Sequence, residues 1–158
     1  MRTIYKVVMA GTLASIAVTS QAGVRASATN GTNFSSAVTV LLPLTSSGGS
    51  TVSFNMPAAG RKVLTFSAEC SVSAPAGNTI GWVDIDILVN GVVVSPTTGN
   101  QDAFCAANGT LGFDGWETNS ITVVIPVVAG ANNVRIQARP NGGATGLWFG
   151  ERALVVHD

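Results

Sequence analysis

The feature that most constrains this chain is a strict two-residue alternation from Val63 to Val72. Leu64, Phe66, Ala68, Cys70 and Val72 are apolar, and Thr65, Ser67, Glu69 and Ser71 between them are polar. Side chains alternate sides along an extended backbone, so this run defines a strand with one buried and one solvated face. A second run follows over Trp82–Asn90. Val83, Ile85, Ile87 and Val89 share one side, while Trp82, Asp84 and Asp86 share the other. Asn90-Gly91 supplies the two positive-φ residues of a tight hairpin, so Val92 to Val94 is predicted to return antiparallel.

The rest of the chain reads as further strands around this pair. Ser36–Leu44, Thr51–Met56, Ser120–Val128, Val134–Arg139 and Leu147–Val156 carry strand-like patterns separated by Gly, Pro, Asn and Ser clusters. Pro126 lacks a ladder donor, which places its strand at an edge or a bulge. No segment sustains a helical period. About eight short strands at regular spacing predict an all-β, antiparallel β-sandwich of jelly-roll type. At 158 residues the chain fits one domain, expected over residues 36–158. Residues 23–35, small and polar, are expected to be a flexible N-terminal segment.

The first 22 residues have a different character. Met1 to Lys6 is basic, Val7 to Val18 is apolar, and Ser20-Gln-Ala22 puts small residues before a cleavage point. This is the pattern of a secretory signal peptide, so the protein is expected to be secreted or periplasmic. The apolar run is too short for a membrane span, and no later run is uninterrupted, so no membrane anchor is expected. Removing Arg2 and Lys6 with the leader leaves six basic against eight acidic residues, a net charge of about −2. Without a basic stripe to meet phosphates, nucleic acid is not an expected partner. In an oxidising compartment two cysteines in a small domain pair, which predicts a Cys70–Cys105 disulfide.

From Leu64 onward the order of features resembles a type of secreted bacterial jelly-roll domain. The matching pieces are Ala68-Glu-Cys70, Trp82 to Gly91, Ser95-Pro-Thr97, Asp102-Ala-Phe-Cys105, Val128-Ala-Gly130 with Asn133 to Gln137, and Leu154-Val-Val156. The pattern is similar to the globular heads of the tumour-necrosis-factor and complement type. That resemblance implies a jelly roll and self-association, with a trimer as the expected homo-oligomer. It carries over no catalytic residue.

Three constellations could carry chemistry. Asp84 and Asp86 lie on one strand face and, with Asp102, Asp114 or Glu117, could form a calcium site. The alternative is a solvated polar face. Trp82, Phe113 and Trp116, with Trp148, could stack against sugar rings, or could pack a core. His157, the only histidine, sits one residue from the chain end, a poor platform for a general base. No nucleophile elbow or paired-histidine metalloprotease motif occurs, so the chain is not expected to be an enzyme. The main expectation is a secreted, non-enzymatic structural or interaction module that self-associates. The alternative is a carbohydrate-binding module for extracellular glycan, with calcium as an optional cofactor.

Overall fold

The computed structural model describes residues 23–75, 81–96, 103–107, 112–113 and 115–158. The predicted signal peptide, residues 1–22, and Asp102 and Asp114 lie outside the described residues. Among the described residues twelve strand segments follow in chain order: β1 (Val24–Asn30), β2 (Phe34–Ser36), β3 (Val40–Leu41), β4 (Val52–Met56), β5 (Gly60–Ala74) and β6 (Trp82–Val89). After them come β7 (Val92–Ser95), β8 (Ala103–Ala106), β9 (Gly112–Phe113), β10 (Glu117–Val127), β11 (Gly130–Asn141) and β12 (Gly146–His157).

The strands form two antiparallel sheets. In the first, the order is β1-β12-β5-β10, with β2 also on β12 and β9 also on β5. In the second it is β3-β11-β6-β7, with β4 also on β11 and β8 also on β6. Short segments that share a neighbour occupy one position each, so the twelve reduce to eight. The alternation of positions between sheets is that of a jelly-roll β-sandwich, as the sequence pattern implied. Pro126 sits in β10, at the edge of its sheet. Asn90 and Gly91 take φ of 52° and 84°, as the hairpin between β6 and β7 demands.

The inward faces are the predicted ones. Leu64, Phe66, Val83, Ile87, Ile136, Leu154 and Val156 are fully buried, and each contributes roughly 1.5–3 kcal/mol of burial. Cys70 of β5 and Cys105 of β8 form a disulfide that links the two sheets, with Cα atoms 6.3 Å apart. Beside it, the Phe104 ring lies between those of Phe66 and Phe149, with centroid distances of 5.5 and 6.2 Å.

The N-terminal segment departs from expectation. Residues 24–30 form a strand registered along β12, from Val24 opposite His157 to Asn30 opposite Arg152. Ala26 and Ala28 pack against the core, and Asn30 is buried. The run VRASATN has too little apolar bulk to announce a strand by itself. Its order comes from the ladder that β12 offers.

Candidate functional site

The outer face of the first sheet is shaped by a bulge in β12. Phe149 pairs with Cys70 and Arg152 with Ala68, so Gly150 and Glu151 together oppose Glu69 alone. A bulge of this kind shifts the alternation by one residue and flips the side chains beyond it. Without it Arg152 would point to solvent; with it Arg152 faces inward and Glu151 outward.

Two tryptophans occupy this face near the bulge. Trp148 of β12 is level with Ser71 of β5, is 38% exposed, and donates from Nε1 to Ser73 Oγ at 3.1 Å. Trp116 stands one residue before the Glu117–Cys70 pair on the other side of β5, and is 42% exposed. Its six-membered ring lies against Gly150, 3.5 Å from where a Cβ on that glycine would stand. The Trp116 ring thus packs over the bare backbone of Gly150. Glu69 lies against the same glycine, with Oε2 accepting the Glu151 backbone N–H at 3.4 Å.

Two open hollows lie on the surface near these tryptophans. One, of about 210 Å³, is lined by Ser67, Ala68, Glu69, Thr118, Glu151 and Ala153. The other, of about 400 Å³, adjoins Trp148 and includes Ser35, Ser36, Ser73 and Thr145. Exposed aromatic faces among hydroxyl and carboxylate groups offer stacking together with directional hydrogen bonds.

Arg152 supports the bulge from inside. Its Nη1 donates to the carbonyls of Phe149 (3.0 Å) and Gly150 (2.5 Å), its Nε to Pro43 O (3.0 Å) and its Nη2 to Thr32 O (2.8 Å). Burial pushes the guanidinium pKa below its usual value, with no carboxylate to oppose the shift.

The acidic pair singled out in the sequence lies on the other sheet. Asp84 and Asp86 do share a face of β6, yet both are buried. Arg139 of β11 reaches both carboxylates, at 3.6 Å from Asp84 and 4.0 Å from Asp86, and the Asn141 amide donates to Asp84. Arg139 thus supplies the positive charge the two aspartates need. Among the described residues no three His, Cys, Asp or Glu side chains gather as a metal-ligating group. Trp82, at the head of this cluster, is half-buried, and its Nε1 lacks a hydrogen-bond partner among the described residues. The structure therefore separates Trp82 from Trp116 by placing them on different sheets. The Phe113 side chain lies outside the described residues. Trp148 takes the place beside Trp116, and the alternation of Leu147 and Phe149 around it is the signal that points it outward.

At the far end of the first sheet, Asp158 bridges Arg25 (2.5 Å) and Lys62. His157 Nδ1 contacts only the neighbouring Asp158 carbonyl among the described residues.

No family model matches the chain, and no curated protein matches it. Among solved structures, a family 35 carbohydrate binding module from an environmental isolate is similar over 61% of this chain, at 13% identity and a TM-score of 0.29. The chain spans 62% of that module's length. The family 35 module from Clostridium thermocellum is similar over 85% of this chain and 98% of its own, at 16% identity and a TM-score of 0.34. Dimeric latent PorU from Porphyromonas gingivalis is similar over 81% of this chain and 11% of its own, at 16% identity and a TM-score of 0.39. Likeness at this level carries no functional argument, so the reading below rests on the residues.

Proposed function

We propose that this is an exported, non-catalytic binding domain that holds glycan chains across Trp116 and Trp148. The observation that carries the reading is the exposure of two indoles on one sheet face, beside hydroxyl-lined hollows. A pyranose presents C–H groups that favour the negative face of an aromatic ring. Its hydroxyls find acceptors in Glu69 and Glu151 and mixed groups in Ser73 and Thr145. The test is tryptophan fluorescence with a panel of neutral and acidic polysaccharides. Trp116→Ala and Trp148→Ala should each weaken binding about tenfold, or about 1.4 kcal/mol, whereas Trp82→Phe should not. Equal binding by all three variants would refute the reading.

A second reading, self-association, is favoured by the middle of the same face. Val63, Thr65, Ser67, Ser120, Thr122, Val124, Ala153 and Val155 line up across three strands without one charge. Light scattering tests it, and a monomer at high concentration would exclude it. A calcium role for Asp84 and Asp86 would need Arg139 to leave both carboxylates. A calcium-dependent rise in Tm, reversed by EDTA, is its test.

A further inference from the structure

Arg152 is a guanidinium placed where the fold gives it no counter-charge. It is 1% exposed, and no ion pair reaches it among the described residues. Its hydrogen-bond inventory is almost full. Nε–H and both Nη1–H groups are used by Pro43, Phe149 and Gly150, and one Nη2–H by Thr32. An arginine has five N–H donors, so one Nη2–H has no acceptor among the described residues. Carbonyl oxygens satisfy hydrogen bonds but carry only partial charge. A buried cation normally has a full anion beside it, because desolvation is costly.

The same arginine forms part of the wall of an open pocket of about 320 Å³. Thr32, the partner of Nη2, lines it, as do Asn33, Ser46, Ser47 and Gly48. Asn30 also contributes, but its amide is committed, donating to Pro43 O and Thr45 O and accepting from Thr32 N. The pocket therefore combines a buried charge in its wall with hydroxyl and amide groups on turns, and no carboxylate lines it.

We infer that this pocket, between the β1–β2 turn and the β3–β4 loop, is a binding site for a small oxyanion, a carboxylate or phosphate group whose oxygen takes the remaining Nη2–H of Arg152. The Asn33 amide and the Ser46 hydroxyl are the groups available to its other oxygens, the Ser47 hydroxyl being shared with Thr45 Oγ1 at 3.0 Å. The site is distinct from the tryptophan face, because Arg152 and the indoles lie on opposite sides of the same sheet. Binding here should leave the environment of Trp116 and Trp148 unchanged.

The test uses the full chain, 15N-labelled, titrated with acetate in one arm and inorganic phosphate in another, against chloride at equal ionic strength. Saturable amide shifts centred on Thr32, Asn33, Ser47 and Gly48 are expected in at least one arm, and the arm that saturates first identifies the carboxylate or the phosphate source. Arg152→Met could fail to fold, so the decisive variant is Asn33→Asp, which keeps every Arg152 bond and supplies an internal anion. It should weaken oxyanion binding about tenfold or more and raise Tm. Shifts that never saturate, shifts spread over the whole surface, or shifts unchanged by Asn33→Asp would overturn the inference.

Discussion

Glu69 and Gly150 meet across the β5–β12 bulge so closely that a Cβ on residue 150 would stand 2.5 Å from the Glu69 carboxylate oxygen. The oxygen is the far end of a flexible side chain and can move. The Glu69 Cβ at 3.2 Å must give by a few tenths of an ångström, whereas the Trp116 ring at 3.5 Å would be in ordinary van der Waals contact. Gly150→Ala should therefore cost about 1–2 kcal/mol by overpacking. It should also shift the tryptophan emission slightly, because the added methyl packs against the Trp116 ring. Urea unfolding and fluorescence on the same samples check both; an unchanged emission would show that residue 150 does not touch the ring.

Removing Arg152 should be among the most damaging single changes. Arg152→Met leaves the carbonyls of Thr32, Pro43, Phe149 and Gly150 without their donor, and only part of that loss returns through water. We expect a loss of about 3–5 kcal/mol, with Arg152→Lys intermediate. Equilibrium denaturation within 1 kcal/mol of the parent would mean the four bonds are redundant.

The disulfide closes a loop between positions 35 apart in sequence. The chain-entropy model values such a closure at about 4 kcal/mol. Replacing both cysteines with alanine should lower stability by about that amount, less whatever the repacked Phe66–Phe104–Phe149 stack recovers. Calorimetry with and without reductant measures it, and insensitivity to reductant would contradict the pairing.

Asp158 gives a pH signature. Hydrogen bonds from Arg25 and then Lys62 hold its carboxyl below the usual aspartate range. A carboxyl with a depressed folded pKa stabilises the fold above its unfolded pKa of about 4, and that contribution fades as pH falls toward the folded value. Asp158→Asn should therefore lower Tm by a constant amount above about pH 5, with the gap closing below about pH 4. The group is exposed, so the effect should be small and should shrink in high salt. A gap that widens on acidification would reverse the sign of this account.

Much of the fold was legible because alternation is a local property. The inward row from Leu64 to Val72 and the Asn90-Gly91 hairpin needed no partner to be recognised. The β1 strand was hidden because Ala26 and Ala28 are small and the strand exists only as a pairing with β12. The β12 bulge was hidden for a related reason: two residues opposing one is a relation between strands. Counting on from Phe149 without it puts Arg152 in solvent and Glu151 in the core. The same blindness shaped the site. Asp84 and Asp86 were correctly placed on one face, but nothing local reveals that Arg139, level with Asp84 on β11, lies against both. Trp82 and Trp116 look equivalent in sequence, and only the assignment of strands to sheets parts them.

The most direct test is isothermal titration of soluble polysaccharide fragments into the parent protein, Trp116→Ala and Trp148→Ala, with folding of each checked by circular dichroism. The account predicts saturable binding of at least one glycan by the parent and about tenfold loss in each folded variant. Binding that survives both substitutions, or no binding by the parent across neutral and acidic glycans, would contradict it.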